Sequence, residues 1–244
     1  MQELVKSVCR KKRLHSLTFS NMKFFRIKPD NIKSDHHEIQ QSVEALDNDR
    51  LIVIPTDTVY GLTCNALSKK AVKRVYDTKR RRHTEPLPVF FYSPNHAKEF
   101  LKIDRPKEKF LEKVWPGKVT VVLPLRNNRL DEDGLSEACA GFSTCGARAP
   151  DYELVKILIS EFDRPIVGTS ANIAGLEPSV KLEEILSQFE SKAERPDIVL
   201  DAGVLPESEP STVVEPTKEG LKIIRDGAVP AAKLEEIWED IHGL

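Results

Sequence analysis

The chain has 244 residues, of which 40% are hydrophobic and 31% charged, and its formal net charge is −1. This balance is typical of a globular protein with a sizeable core, and it excludes nucleic-acid binding through overall basicity. No apolar run approaches the roughly 20 residues that span a bilayer, so we predict a soluble protein without membrane contact.

The first 35 residues are set apart by a basic stretch. Lys6 and residues 10–13 are basic, whereas Glu3 is the only acid within residues 1–25. This composition suits a mitochondrial targeting segment, a disordered basic arm near RNA, or a frayed terminus without a role. We therefore predict an N-terminal segment over 1–35 and a catalytic domain over 36–244. The expected location is the cytoplasm, and also mitochondria if the segment is an address.

Helices and strands are predicted to alternate from residue 36 onward. Apolar residues at helical spacing predict a helix over 36–49, and the β-branched run 51–54 predicts a buried strand. The same patterns predict helices at 69–79, from 94, at 107–114, from the N-cap Asp151 to 162, at 181–189 and at 230–241. They predict strands at 87–92, 119–125, 144–148, 166–169, 198–201, 212–215 and 221–225. Residues 127–141 are polar and acidic and predict a loop. Together these elements predict a single α/β domain, a twisted mixed sheet flanked by helices.

Polar residues follow the first buried strand. The segment 55–62 carries hydroxyls, the carboxylate of Asp57, and Gly61, which lets backbone approach closely. Ligands of open α/β sheets bind where strands end, so this segment is a candidate contact for a small polar substrate. The competing interpretation is a polar turn without a ligand.

A run of cations ends the helix predicted over 69–79. Residues 79–82 are Lys-Arg-Arg-Arg, and they lie between that helix and the strand that begins near Leu87. Arg can grip a phosphate with two parallel hydrogen bonds, whereas Lys acts as a point charge, so phosphate binding is the favoured interpretation. A solvated helix end, stabilised by the helix dipole, is the alternative.

Two later segments carry further polar groups at strand ends. Arg148 follows two small residues, which leave room for a carboxylate or phosphate, although a structural ion pair explains it equally well. The segment 166–172 is a short apolar strand that ends in Ser170 and Asn172, side chains that contact nucleotides but also occur in ordinary turns. Ser170 has no nucleophile-elbow sequence, which argues against a covalent serine mechanism. The cysteines and histidines show no metal-ligand spacing, so we predict free thiols and no protein-held metal.

Seven segments in order carry a family resemblance. They are PTDTVYGL, KRR followed by EPL, WPGKVT, GARAP, TSAN, STVV and IIRDGAV. In this order and spacing the chain resembles the short form of the YrdC-type threonylcarbamoyl-AMP synthases, over about residues 39–229. The resemblance implies a YrdC-like domain with a concave basic pocket.

The resemblance also implies a reaction. L-threonine, bicarbonate and ATP, with Mg²⁺, would give threonylcarbamoyl-AMP and pyrophosphate. A downstream transferase complex would then move the threonylcarbamoyl group to the adenosine beside the anticodon of certain tRNAs.

Site residues follow from the same resemblance, position by position. The threonine contacts fall on Thr58, Arg148, Gly168 and Ser211. The ATP contacts fall on Lys79, Arg81, Thr144, Ser170, Asn172, Ser179 and Arg225. The catalytic set falls on Lys79, Arg81, Ser170 and Asn172. Glu85 stands where the family usually has Lys or Asn, so an anion lies close to the expected triphosphate.

A non-catalytic module that binds double-stranded RNA or tRNA is the alternative function. The cationic run and the basic N-terminal segment would serve it equally well. Its binding would fall steeply with salt and would not respond to threonine.

Overall fold

The computed structural model describes residues 22–126, 134–190 and 193–243. The strands are β1 (Lys23–Arg26), β2 (Ile52–Ile54), β3 (Gly61–Thr63), β4 (Val89–Phe90), β5 (Val119–Pro124), β6 (Thr144–Arg148), β7 (Ile166–Val167), β8 (Thr169–Ser170), β9 (Ile198–Asp201), β10 (Thr212–Pro216) and β11 (Leu221–Arg225). The helices are α1 (His36–Asp47), α2 (Lys69–Lys79), α3 (Pro94–Lys98), α4 (Arg105–Val114), α5 (Gly134–Ala138), α6 (Glu153–Phe162), α7 (Leu182–Phe189) and α8 (Ala231–His242). A 3₁₀ segment, Pro29–Asp35, precedes α1.

The α/β class and the mixed strand directions are confirmed, but the strands form two sheets. Among the described residues one sheet has the order β1-β9-β2-β3-β8 and the other β11-β10-β5-β6-β4-β7. Each sheet contains parallel and antiparallel pairs. The sequence predicts which segments are extended but not which strands pair, because pairing depends on contacts between distant parts of the chain.

The chain passes from one sheet to the other at Gly168. Before it, β7 pairs with β4 in the second sheet, and after it, β8 pairs with β3 in the first. The amide of Val167 also donates to the carbonyl of Cys64, 2.9 Å away, which joins the sheets at this point. The strand predicted over 166–169 is therefore two short strands with a junction between them.

The strand β2 shows why this chain folds around a buried sheet. Successive strand residues point to opposite faces. Ile52 and Ile54 accordingly lie in one apolar cluster with residues of α1 and α6, whereas Val53 lies in another with residues of α2. All three are fully buried, which explains the continuous apolar run in the sequence. Each such side chain stabilises the fold by about 1.5–3 kcal/mol.

The helix α2 begins and ends where its residues dictate. The Ser68 hydroxyl accepts a hydrogen bond from the amide of Ala71, which caps the first turn. The helix ends at Arg80, whose backbone is left-handed with φ 50°, and the chain turns away there. This ending places Lys79 inside the protein and Arg81 at the edge of a cavity.

Part of the N-terminal segment 1–35 belongs to the sheet. The strand β1 pairs in parallel with β9, and Ile27 is 1% exposed. The sequence does not predict this strand, since the four residues of β1 are two phenylalanines between two cations, too few apolar residues for a strand pattern. The basic residues 6–13 lie outside the described residues, so their role as an address or arm stays a prediction.

Two local predictions are wrong. The loop predicted over 127–141 contains α5, whose residues Leu135 and Ala138 are buried; a helix of five residues is too short to show helical periodicity. Residues 127–133 lie outside the described residues. Asp151 does not cap α6: the N-cap is Tyr152, and the Asp151 carboxylate pairs instead with Lys156 at 2.6 Å. None of the described helices combines the length and apolarity needed to cross a bilayer.

Candidate active site

Ends of strands from both sheets surround a cavity of about 330 Å³. Seven of the predicted site residues line it: Thr58, Arg81, Arg148, Gly168, Ser170, Ser211 and Arg225. The other four, Lys79, Thr144, Asn172 and Ser179, do not. The cavity therefore collects three arginines and several hydroxyl groups around one space.

Arg148, the last residue of β6, is 3% exposed and held from three directions. Its Nη2 lies 2.6 Å from Oδ1 of Asp57, its Nε donates to the carbonyl of Gly117 at 2.8 Å, and its Nη1 donates to the Thr58 hydroxyl at 3.3 Å. Burial lowers the pKa of Arg148, and the neighbouring Asp57 opposes that shift. The structural ion pair left open by the sequence is present, yet the guanidinium still lines the cavity.

The other oxygen of Asp57 accepts a hydrogen bond from the amide of Asp151, at 3.1 Å. Its carboxylate is therefore fixed at both oxygens, by the guanidinium and by this amide. Three of the five N–H groups of Arg148 are used in the contacts above, which leaves two for a ligand. The Arg148–Asp57 pair therefore has little net charge, and its guanidinium is held rigidly as a hydrogen-bond donor.

Thr58 owes its position to a neighbouring threonine. Thr56 Oγ1 accepts from the amide of Thr58 at 3.1 Å and donates to the carbonyl of Val59 at 2.7 Å. This short turn points both hydroxyl groups into the region lined by Arg148. Thr58 therefore lies beside Arg148 in the cavity lining, and its contact with threonine stays a prediction.

Only glycine fits at position 168. A Cβ atom there would lie 2.2 Å from ring atoms of Phe90, a distance that van der Waals radii forbid. The amide of Gly168 donates to the carbonyl of Pro88 at 2.8 Å, so this N–H group is already used. Any backbone contact that Gly168 offers a ligand must therefore come from its carbonyl group.

Lys79 lies beside the cavity but does not line it. The side chain is 2% exposed, and Nζ donates to the carbonyl of Asn172 at 2.8 Å, to Oδ1 of Asn172 at 3.2 Å, and to the carbonyl of Ser170. These bonds use all three donors of an ammonium group. Burial, with the nearby Arg81 charge, lowers the pKa of Lys79 to about 7.

Asn172 completes the same network, which we call the loop clamp (Lys79, Ser170 and Asn172). Its Nδ2 donates to the carbonyl of Leu176 at 2.5 Å, and its Oδ1 accepts from Ser170 Oγ at 2.5 Å. The hydroxyl proton of Ser170 is thus committed to Asn172. Towards the cavity Ser170 can only accept a hydrogen bond, which suits a hydroxyl or amino group better than a phosphate oxygen.

Arg81 has a freer guanidinium. Its side chain is 26% exposed, and it donates to the carbonyls of Glu85 at 3.2 Å and Pro86 at 3.0 Å. Both acceptors are backbone groups, so they orient the side chain without neutralising it. The Glu85 carboxylate lies 3.7 Å from Arg81 Nε and is bound more closely by Arg82, at 2.6 Å.

Arg225, the last residue of β11, and Ser211, which directly precedes β10, lie together in the cavity lining. Arg225 donates to the carbonyl of Ser211 at 2.6 Å, and Ser211 Oγ lies 2.9 Å from Thr120 Oγ1. Partial burial lowers the pKa of Arg225. The hairpin of β10 and β11 thereby fixes one cation at the cavity wall.

Thr144 and Ser179 lie away from the lining. Thr144 pairs with Pro124 at the far end of β6 from Arg148. The Ser179 hydroxyl donates to Glu184 at 2.6 Å and caps the turn before α7, although its neighbour Pro178 does line the cavity. Their predicted nucleotide contacts have no support in this geometry.

Several lining residues were not predicted from the sequence. They include Phe90, Thr120 and Thr169, whereas Thr56 and Tyr60 belong to the segment 55–62 that was predicted as a substrate contact. No predicted site residue lies in the segment WPGKVT, yet its Thr120 lines the cavity and its Gly117 accepts a hydrogen bond from Arg148. A polar residue inside the apolar run of β5 was the available signal.

The lining offers little to a protein-held metal. No carboxylate lines the cavity, and the described residues contain no group of three or more metal-ligating side chains. Mg²⁺ characteristically keeps water ligands and binds through substrate phosphates. The described lining therefore offers Mg²⁺ no carboxylate ligand of its own.

Comparisons with known proteins agree on one family. The Sua5/YciO/YrdC family model, described as "Telomere recombination", matches residues 44–227. A protein of Methanocaldococcus jannaschii is 31% identical over 187 residues, which cover 77% of this chain and 84% of that protein. The threonylcarbamoyl-AMP synthase of Bacillus subtilis is 28% identical over 214 residues, 87% of this chain and 60% of that enzyme.

A solved structure gives the same result. The crystal structure of P. abyssi Sua5 complexed with L-threonine superposes with a TM-score of 0.77 at 27% identity, covering 88% of this chain and 60% of that one. The chain thus spans about three fifths of two of these relatives and most of the third.

Proposed function

The chain belongs to the Sua5/YciO/YrdC family, and from this premise we propose that it is a nucleotidyltransferase that makes threonylcarbamoyl-AMP and pyrophosphate from L-threonine, bicarbonate and ATP. The observation that carries the proposal is the shared cavity. Three guanidinium groups and a set of fixed hydroxyl groups face one space in a chain similar to a protein crystallised with L-threonine.

Arg148 and Thr58 are the proposed threonine contacts. The two remaining N–H groups of Arg148 suit the carboxylate of an amino acid, and Asp57 keeps the guanidinium in place. The Thr58 hydroxyl, 3.3 Å from Arg148, can orient the same molecule. Since the donors are fixed before the ligand arrives, little ordering entropy is lost on binding.

Arg81 and Arg225 are the proposed phosphate contacts. Both line the cavity, and their protein contacts are carbonyl or hydroxyl groups apart from the Glu85 carboxylate near Arg81. Positive charge at this place stabilises the charge that develops during phosphoryl transfer. Mg²⁺, bound to the phosphates, would neutralise further charge on the nucleotide.

The chemistry needs placement more than a protein nucleophile. The threonine amine and bicarbonate condense to a carbamate with loss of water. A carbamate oxygen then attacks the α-phosphorus of ATP, the bond from that phosphorus to the bridging oxygen breaks, and pyrophosphate leaves. Holding these reactants together in one cavity supplies much of the rate. The Ser170 hydroxyl donates a hydrogen bond to Oδ1 of Asn172 and takes no covalent part in this scheme.

The product belongs to tRNA modification. A mixed anhydride of a carbamate and AMP is an activated acyl donor, so a second enzyme must consume it. We propose that this second enzyme is a downstream transferase complex that forms threonylcarbamoyladenosine in tRNA. We propose a cytoplasmic location, with mitochondria added only if the basic N-terminal segment 1–35 acts as an address.

The deciding measurement is pyrophosphate release from ATP, with threonine and bicarbonate each withheld in turn. We expect release only when all three are present. Release that is indifferent to threonine would reject the proposed substrate. Absence of release together with salt-sensitive binding of tRNA would favour the RNA-binding module instead.

A further inference from the structure

The carboxylate of Glu85 lies between two arginines that have different surroundings. Its Oε1 is 2.6 Å from Arg82 Nη2 and 2.7 Å from Arg82 Nε, and its Oε2 is 3.7 Å from Arg81 Nε. Arg81 lines the cavity, whereas neither Glu85 nor Arg82 does. The Arg82 side chain is 81% exposed and the Glu85 side chain 35% exposed.

This arrangement sets up a competition for Arg81. Its guanidinium is fixed by two backbone carbonyls, so its orientation does not depend on the Glu85 carboxylate. That carboxylate is nevertheless a negative charge within 4 Å of the cation. A phosphate that approaches Arg81 is therefore repelled by the Glu85 carboxylate. Arg82 reduces this repulsion by holding Oε1 of that carboxylate.

We propose that Glu85 is an internal competitor of the nucleotide phosphates for Arg81, and that Arg82 limits this competition by drawing the carboxylate away. The inference rests on the proposed function, since it concerns the phosphate end of the same site. In this proposal Glu85 weakens the binding of ATP and Arg82 strengthens it, although neither residue touches a substrate.

The effect is modest because the pair is partly solvated. Charges near a protein surface interact weakly and are screened over about 8–10 Å at ordinary salt. We therefore expect changes in ATP affinity of about 3-fold to 10-fold, larger at low ionic strength than at high.

The test is a two-residue cycle read as the dissociation constant of ATP without threonine and the KM for ATP in the full reaction. Glu85→Gln keeps the shape and should tighten ATP about 3-fold to 10-fold. Arg82→Gln releases the carboxylate towards Arg81 and should weaken ATP by a similar factor. The double variant should follow Glu85→Gln, because Arg82 acts only through that carboxylate. Glu108→Gln removes an ion-paired carboxylate that does not line the cavity, and it should change neither the dissociation constant nor the KM for ATP.

The outcomes separate this inference from the proposed function. Equal ATP affinity in all four chains, with normal pyrophosphate release, overturns the competition and leaves the function intact. The expected pattern of ATP affinity without any pyrophosphate release supports the competition and rejects the reaction. A wild-type chain that fails to bind ATP contradicts both. A KM for threonine that moves with the KM for ATP would mean a general change in the site and would also overturn the competition.

Discussion

Lys79 and Arg148 are both buried cations of the candidate site, with 2% and 3% exposure, but they are stabilised in different ways. Arg148 has a carboxylate partner in Asp57 and lines the cavity. Within the described part of the chain, the hydrogen-bond partners of Lys79 Nζ are carbonyl and amide oxygens, and Lys79 does not line the cavity.

The difference decides what each cation can do. The Asp57 carboxylate offsets the desolvation cost of burying the Arg148 guanidinium. That guanidinium therefore stays charged and is a fixed hydrogen-bond donor. Lys79 lacks a carboxylate, and its pKa of about 7 leaves its charge open to change near neutral pH. Arg148 is therefore a fixed donor at the cavity wall, whereas Lys79 holds Ser170 and Asn172 through hydrogen bonds and can respond to charge in the cavity.

The largest expected loss of stability follows from breaking the ion pair between Arg148 and Asp57. Arg148→Met would leave the Asp57 carboxylate buried without its partner, and removal of one member of a buried pair costs about 3–5 kcal/mol in the free energy of unfolding. Threonine-dependent pyrophosphate release should be lost as well. Denaturant unfolding of the purified variant measures the first effect, and the release assay measures the second.

A second variant separates stability from function at this pair. Combining Arg148→Met with Asp57→Asn removes both charges and should recover most of the lost stability without recovering activity. Recovery of activity in the double variant would show that Arg148 does not hold the substrate. Equal stability of the single variant and the wild type would show that the pair is not buried in solution.

Removal of Lys79 should have a smaller effect on stability. Lys79→Met leaves the carbonyls of Ser170 and Asn172 buried without their donor, at a cost of about 1–3 kcal/mol. The pH dependence gives a second readout. Because the pKa of Lys79 falls from 10.5 to about 7 on folding, the unfolded chain holds more protons between these values.

The sign of that pH effect follows directly. Stability rises with pH wherever the unfolded state binds more protons, so Lys79 adds a rise in unfolding free energy between pH 7 and 10.5. Subtracting the Lys79→Met curve from that of the wild type should isolate this rise. A difference that stays flat over the window would mean that Lys79 titrates normally, and the contrast with Arg148 would fail.

The sequence anticipated the residues of the site better than their roles. The family resemblance, rather than local patterns, named Thr58, Arg81, Ser170 and Arg225 as site residues, and all four line the same cavity. The displacement of Lys79 from the lining could not be predicted. It depends on where α2 ends and on carbonyl groups more than 90 residues away.

The division into two sheets escaped prediction for a similar reason. The segment 166–169 predicts one strand, whereas in the structure β7 and β8 belong to different sheets on either side of Gly168, where a Cβ atom would clash with Phe90. Such a contact joins residues far apart in the chain. Local sequence patterns therefore do not predict this contact.

Arg81→Ala should change stability least among the cations compared here. Its side chain is 26% exposed, and its protein contacts are mostly to backbone carbonyls, so the free energy of unfolding should move by less than about 1 kcal/mol. Pyrophosphate release should nevertheless fall by about 100-fold or more, because positive charge at the transferring phosphoryl group is lost. Arg80→Gln, at a neighbouring exposed arginine outside the lining, is the matched control. Near-normal turnover of Arg81→Ala would mean that the phosphates bind elsewhere.

The smallest expected effect is proton uptake when ATP binds. Phosphates next to Arg81 bring negative charge near Lys79 and raise the pKa of its ammonium group. At pH 8, where ATP is already deprotonated, binding should take up on the order of half a proton or less. Calorimetry in buffers of different ionisation enthalpy measures this number, and Lys79→Met should abolish it. Threonine alone should cause no uptake through Arg148, because Asp57 keeps that guanidinium charged throughout. Uptake that persists in Lys79→Met would assign the proton to another group and remove the distinction between the two buried cations.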